Sequence, residues 1–453
     1  MRTFKPWRIV HVSLADALPD LPADPASDGA FVVFWHRHVP LGQVLVRAPL
    51  LPIPSQQLVS VASRIVAPAI AFRTVRDGFA PPLPVPERKQ PSGETAKLSQ
   101  LLALDRPLAA LAGRTQAPGR ATPSVSVVVC TRNRPEDLEK CLTALAGLAP
   151  APAEIIVVDN DPRSGETRRV TDCHPAVRYV PEERPGLSAA RNTGVLAATG
   201  DIVAFTDDDV IVDPRWVGAI CEAFEDRAVA SVTGLVLPAE LETAAQYAFQ
   251  TDVLGWGWGY RAVDFDRTFF DATKDVGVPA WRLGAGANMA FRREVFDRVG
   301  LFDERLGAGA SGCSEDSELW YRLLADGHRC RYWPAAVVLH RHRADWDGLR
   351  QQMYTYMRGH VTALFVQFER YRHWGNIYRA FVALPWYLAT LGFHTGKRWL
   401  ARQFYDPQDG TIAQPVVPQI LGAIAGYGYY LRHRRRPSNA AVVERERTQV
   451  TVR

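Results

Sequence analysis

GDIVAFTDDDVIVDP, Gly200 to Pro214, runs from an apolar stretch, Ile202 to Phe205, straight into Asp207, Asp208 and Asp209. The apolar stretch reads as a buried strand, and the aspartates stand at its carboxyl end. At about 6–7 Å and an effective dielectric near 20, each carboxylate pair repels by roughly 2–3 kcal/mol. Something must offset that repulsion. Strand alternation predicts Asp207 and Asp209 on one side and Asp208 on the other.

The neighbouring segments repeat the pattern. SVSVVVC (Ser124 to Cys130) reads as a buried strand, and RPEDLEKCLTALAGL follows as a helix with Pro135 at its start and Leu138, Cys141, Leu142 and Leu145 at helical spacing. EIIVVDN (Glu154 to Asn160), a short polar helix, VRYVPE (Val177 to Glu182) and a helix opened by Ser188 lead to DIVAF (Asp201 to Phe205). This alternation predicts a mostly parallel, three-layer α/β sheet. Ligands bind such sheets beyond the carboxyl ends of the strands. TRNR (Thr131 to Arg134), Asp159 and the three aspartates all stand there.

Asp207 and Asp209 on one face suit a hard divalent cation shared with a diphosphate, which would neutralise the cluster. A helix cap explains only Asp213, followed by Pro214. A calcium-binding loop fails, because its sixth position would be Val212 and its twelfth Gly218. A second carboxylate site lies in GAGASGCSEDSELWYRLLADG (Gly307 to Gly327), where Ser314 reads as an N-cap ahead of Glu315 and Asp316. Helix-dipole stabilisation accounts for such acids, by about 0.3–1 kcal/mol each. So does a general base kept ionised at a helix start. Gly307, Gly309 and Gly312 satisfy a dinucleotide-binding spacing but follow no apolar strand, and GFHTGKR (Gly392 to Arg398) lacks the spacing of a phosphate-binding loop.

The chain of 453 residues has room for about three domains. Its net charge of +5 is mild and includes a local RHRRR (Arg432 to Arg436), so no nucleic-acid partner is expected. Six scattered cysteines without a CxxC pair predict a reduced, cytoplasmic protein. The amino terminus lacks an apolar core of a secretory signal. Residues 1–120 form an extension of unknown role, with FVVFW and QVLV as strands and Ser60 to Phe72 as a helix, ending in Pro-rich linkers. Residues 121–345 form one unit, which carries both carboxylate sites. Residues 346–453 are helical, aromatic and basic. Within them Thr411 to Leu431 is uncharged, which allows a membrane span, an interfacial docking segment at the inner face of the cytoplasmic membrane, or a soluble helix.

Taken in order, SVVVCTRNRPEDLEKCLTAL, EIIVVDN, RPGLSAARNTGVLAATGDIVAFTDDDV, GAGANMAFRREVF, GLFDERLG and SEDSELWYRLLADG resemble a family 2 glycosyltransferase of the GT-A fold, over roughly residues 124–345. The resemblance implies that Thr131, Arg132 and Arg134 border the nucleoside pocket and that Asp159 accepts a hydrogen bond from the base. It implies that Arg191 contacts the nucleotide or its diphosphate. Asp207 and Asp209 would hold Mg²⁺ or Mn²⁺, with Asp208 on the nucleotide side. Asp316, beside Glu315, would be the catalytic base, and GAGANM, with Gly286 and Asn288, would line the donor-sugar pocket. His340 and His342, in VVLHRHRADW, read as a metal or phosphate contact, His340 as the metal ligand, or as plain surface groups, and WGWGY (Trp256 to Tyr260) as either an acceptor platform or local core.

The implied activity is metal-dependent, inverting transfer from a UDP-, GDP- or dTDP-linked sugar to an acceptor hydroxyl on a sugar, lipid or protein. The chain lacks the QxxRW-type motif of processive synthases, which favours single-sugar transfer. A rival reading is a catalytically inactive nucleotide-sugar-binding scaffold in a membrane-associated glycan assembly. A nucleotidyltransferase would release pyrophosphate instead.

Overall fold

The computed structural model describes residues 4–76, 123–253, 258–400, 405–406, 411–412 and 415–435. The Pro-rich linkers, apart from Pro123, and the end of the basic tail lie outside the described residues. At the amino end, β1 (Trp7–Ser13), β2 (Gly29–His36) and β3 (Val39–Arg47) make a small sheet, and α1 (Ser55–Arg76) packs against it. β2 and β3 match the expected FVVFW and QVLV strands; β1 is an unforeseen parallel partner of β2. Trp7, Phe31 and Val33 share one apolar cluster with Leu235, Leu237 and Tyr247, and the Trp7 amide donates to the Leu241 carbonyl at 2.9 Å. The extension is thus seated on the large sheet.

That sheet begins with β4 (Val125–Thr131), followed by α2 (Pro135–Ala146), β5 (Glu154–Asp159), α3 (Glu166–Asp172), β6 (Val177–Pro181), α4 (Leu187–Ala197) and β7 (Ile202–Asp207). β4 pairs in parallel with both β5 and β7, and β6 with β5, as strand–helix alternation predicts. β8 (Val210–Val212), α5 (Trp216–Ala223), β9 (Val229–Pro238), β10 (Val263–Phe265) and β11 (Asn288–Arg292) come next. α6 (Glu315–Ala325) and β12 (Arg329–His340) complete the order β10-β12-β9-β11-β7-β4-β5-β6, with β8 on β12.

β11 runs antiparallel to both β7 and β9, so the sheet is mixed. One apolar layer gathers Leu138, Leu142, Trp216 and Ile220 over one face. The other places Phe205, Phe291, Leu319 and Trp320 over the opposite face. The result is the expected three-layer α/β architecture.

The carboxyl-terminal region is helical, as expected. α7 (Trp346–Tyr371), α8 (Trp374–Tyr378), a π-helical turn Arg379–Ala383, α9 (Leu384–Leu400) and α10 (Val416–His433) follow β12. α10 buries Gly422, Ala423 and Gly426 on its inner face, and Ala423 packs with Val361 and Leu384. Of the three readings of Thr411 to Leu431 the membrane span is not supported: no helix among the described residues is long and apolar enough to cross a membrane.

Candidate active site

β7 ends at Asp207, and Asp208–Asp209 forms the turn into β8. The expected two-sided alternation therefore stops at Asp207. Asp208 and Asp209 instead share the Arg134 guanidinium, each at 3.0 Å, while Asp208 also accepts from the Thr131 hydroxyl at 2.7 Å. Asp209 faces His340 Nε2 at 3.4 Å and Arg343 at 3.9 Å. Asp207 faces Arg191 at 3.3 Å. Arg134, Arg191, Arg343 and His340 thus offset the repulsion that Gly200–Pro214 raised. Arg343, three residues beyond His340, went unnoticed in the sequence.

These contacts sort the three carboxyls. Burial pushes Asp207 up against the pull of Arg191, and pushes Asp208 up to about 6 against Arg134. Burial also opposes the charge on Asp209, but the bond and charge of His340, with Arg134 and Arg343, hold its carboxyl well below the usual range.

The histidine pair carries a tautomer argument. Burial lowers His342 to about 3, so its ring is neutral, and its Nε2 stands 2.9 Å from Gln250 Oε1. A carbonyl oxygen only accepts, so that nitrogen carries the proton and His342 Nδ1 is bare. His340 Nδ1, 2.9 Å away, must then donate to it. The remaining His340 nitrogen points at Asp209 and needs either a proton or a cation between them.

Among the described residues no three His, Cys, Asp or Glu side chains make a ready metal cluster. Two carboxylates and an imidazole nitrogen, completed by substrate phosphates, are still a donor set that suits Mg²⁺ or Mn²⁺, which seldom sit in all-protein cages.

Opposite the aspartates lies the start of α6. Ser314 occupies the N-cap position, with φ of 72°, but makes no side-chain cap bond. Glu315 is buried and its Oε1 is held by Arg191 Nη1, while Oε2 has no hydrogen-bond partner. Burial pushes its carboxyl up to about 7 despite Arg191. Asp316 follows it, its Oδ1 accepting from the Ser317 amide at 2.6 Å. A Cβ at Gly286 would stand 3.1 Å from Asp316 Oδ2 and 2.8 Å from Arg191 Nη2. Gly286, Asp316, Arg191 and Asp207 therefore meet at one place. The glycine-rich loop ahead of α6 makes this approach: Gly307, at φ +93°, passes where a Cβ would lie 2.9 Å from Ser188 Oγ. That φ favours glycine.

Other expected residues are differently employed. Arg191 is buried between Phe205 and Phe302, and its reach is spent on Glu315, Asp207 and the Gly286 carbonyl at 3.3 Å. Asn288, read as a sugar-pocket residue, is buried; its amide donates to the Leu235 and Ala336 carbonyls and accepts from the Trp216 indole. All three of those bonds are structural. Asp159 is buried and accepts from Tyr179 and the Asp161 amide. Arg132 is half-exposed, 3.7 Å from Asp161. In WGWGY, Trp256 lies outside the described residues. Trp258 bonds the Arg282 carbonyl, and Tyr260 reaches Gln43 in the amino-terminal extension.

Residues 126–300 match the family model described as Glycosyl transferase family 2. A pre-mycofactocin glycosyltransferase of Mycobacterium tuberculosis is 33% identical over 230 residues, 49% of this chain and 44% of its own. A glucosyl-dolichyl phosphate glucuronosyltransferase of Haloferax volcanii is 30% identical over 190 residues, 40% of this chain and 57% of its own. The chain spans about half the length of these curated relatives. A solved mannosyltransferase from Pyrobaculum calidifontis, in complex with GDP-Man and Mn²⁺, aligns over 81% of this chain and 98% of its own, at 20% identity and a TM-score of 0.44. The likeness to glycosyl transferase family 2 thus lies in residues 126–300, the segment that carries the three aspartates and Arg191.

Proposed function

We propose that the protein is a metal-dependent, inverting glycosyltransferase that moves one sugar from a nucleotide-diphosphate sugar to an acceptor hydroxyl. The observation that carries the reading is the meeting of Asp316, Gly286, Arg191 and Asp207 at the carboxyl end of β7. Asp316 takes the proton from the acceptor hydroxyl as that oxygen attacks the anomeric carbon. The leaving diphosphate departs from the opposite face, which inverts the configuration. Asp207 and Asp209, with His340, are the residues that would hold Mg²⁺ or Mn²⁺; the bound ion supplies neutralising charge to the diphosphate. Arg191 and Glu315 position this geometry: the buried pair ties α4 to α6, so that Asp316 and Asp207 keep their separation. Arg134 and Thr131 hold Asp208 beside the expected nucleoside pocket.

The test is nucleoside diphosphate release from UDP-, GDP- and dTDP-sugars, with and without Mn²⁺. Asp316→Asn should lose at least about a hundredfold in rate, the lower end of what a general base contributes, while the donor still binds. Full turnover by D316N, or turnover that ignores chelation, refutes the reading. The inactive-scaffold alternative would give donor binding without release.

We also place the carboxyl-terminal helices against a membrane surface as a peripheral contact. Trp374, Phe381, Trp386 and Phe393 stand exposed on α8, the π-turn and α9, and Val417, Leu421, Ile424 and Leu431 form one exposed stripe on α10. Lys397, Arg432, Arg434 and Arg435 are exposed near them. Aromatic residues rimmed by cations suit an anionic lipid interface.

A further inference from the structure

Arg379 opens the π-helical turn Arg379–Ala383, a backbone irregularity that recurs at functional sites. Its guanidinium lies 4.0 Å from the centre of the Trp281 ring, and its Nε donates to His360 Nε2 at 3.4 Å. Burial lowers His360 to about 3, which leaves that ring neutral and able to accept. The arginine stem is wedged in place, since a Cβ at Gly277 would stand 2.7 Å from Arg379 Cβ. Arg191, Arg305, Arg322 and Arg331 are also withdrawn from solvent, and each closes on a carboxylate. Among the described residues Arg379 has no acidic partner, and burial alone pulls its pKa down, to about 10. A guanidinium has five N–H donors, and here one is used. A half-buried cation held with its fork unspent is suited to a bidentate anion.

Its neighbours tie it to the reacting end of the site. Trp281 and His360 line one small cavity together with Ser314 and Ser317, which bracket Glu315 and Asp316. Trp281 stands five residues before Gly286, the glycine beside Asp316. On the outer side, Tyr378, Phe381 and Val382 are exposed next to Arg379 in the chain. The diphosphate of the donor already has its place at the aspartates, so this second cation faces something else.

We propose that Arg379, stacked on Trp281, is a subsite for a phosphate ester carried by the acceptor. The proposal rests on the glycosyl-transfer reading above and names the acceptor's chemistry: an anion held on the Trp281 side of the cavity that reaches Ser314 and Ser317, with exposed apolar side chains near it for a tail.

The experiment is isothermal titration of the full chain with n-octyl phosphate and with inorganic phosphate, using octyl glucoside as the uncharged control. Wild type is compared with Arg379→Met, which keeps the stem on Trp281 and removes the charge. Octyl phosphate affinity should fall at least about tenfold in R379M, the loss expected for a charge-assisted bond. Any phosphate bound at the donor site is common to both proteins and drops out of the difference. Loss for both probes identifies a free-phosphate site; loss for octyl phosphate alone identifies a phosphate on an apolar chain. Equal affinities in the two proteins, or no binding by wild type, overturn the proposal. If R379M melts early, Arg379→Lys decides, since a retained cation should keep octyl phosphate binding and its loss counts against the site. Nucleotide-sugar binding is measured on the same samples: intact donor binding with no phosphate difference sinks this subsite alone, whereas failure of wild type to bind any sugar nucleotide sinks the transferase reading.

Discussion

Gly286→Ala perturbs the site by a single methyl group. The new Cβ would stand 2.8 Å from Arg191 Nη2 and 3.1 Å from Asp316 Oδ2, against ordinary contact from 3.4 Å. Gly286 is not in the left-handed region, so alanine fits its backbone and the conflict is one of space alone. Relief needs a shift of about 0.6 Å from the arginine and about 0.3 Å from the carboxylate. Arg191 is the less free of the two, being clamped by Glu315, Asp207 and the Gly286 carbonyl in a buried position. Asp316 therefore moves, or the Gly284–Met289 segment backs away from both. Either way the base is displaced by several tenths of an ångström from the hydroxyl it must reach. Misplacement of this order costs about 10- to 100-fold in rate. Overpacking costs about 1–3 kcal/mol of stability, which leaves a folded protein. The assay is steady-state diphosphate release with an active sugar nucleotide and acceptor, beside a urea melt. The expected outcome is a fall in kcat with the donor KM within about threefold, because the aspartates and Arg134 are untouched. A G286A protein with wild-type kcat would show that Asp316 does not work from this position.

Asp303 and Arg305 form a buried fork, at 2.8 and 3.0 Å, and Arg305 continues to Glu369 on α7 at 2.9 Å. Burial opposes the charge on Asp303, but the bonds and charge of Arg305 prevail and hold its carboxyl below the usual range. Its contribution is therefore complete above the ordinary carboxylate pKa, about 4, and is lost as pH falls through the depressed folded value. Asp303→Asn should destabilise by about 3–5 kcal/mol at pH 7 and by clearly less at pH 3; equal urea-midpoint gaps at both pH values would refute it. For the membrane face, flotation with phosphatidylglycerol vesicles should recover the full chain, and Trp374→Ser with Trp386→Ser should reduce recovery several-fold. Equal flotation with neutral phosphatidylcholine vesicles would remove the charge argument, and no flotation the whole contact.

The α/β layers were legible because the buried strands β4, β5 and β7 are contiguous apolar words: they fall within a residue or two of SVSVVVC, EIIVVDN and DIVAF, and the half-exposed edge strand β6 follows VRYVPE as closely. Binary patterning is local, and a strand buried on both faces needs nothing distant to declare itself. β1 escaped notice for the converse reason. WRIVHVS is only part-buried and acquires its order from pairing with β2, sixteen or more residues on.

The aspartates show where such reading ends. The carboxylates and their position at a strand mouth are written in four consecutive letters, TDDD, but their partners come from four other elements or loops. Arg134 follows β4, Arg191 is on α4, His340 ends β12 and Arg343 lies beyond it. Strand alternation could not foresee that Asp208 and Asp209 share one guanidinium, because alternation presumes that the strand continues, and here the chain turns after Asp207. With the charges already balanced by protein cations, the repulsion among the aspartates is no longer an argument for a metal. What remains is the second nitrogen of His340: with Nδ1 given to His342, it meets the Asp209 carboxylate either as an N–H donor or with a cation between them. The claim thereby moves from a charge count to the tautomer of one ring, a property that only the folded arrangement of β12 against the Phe249–Val253 turn could supply.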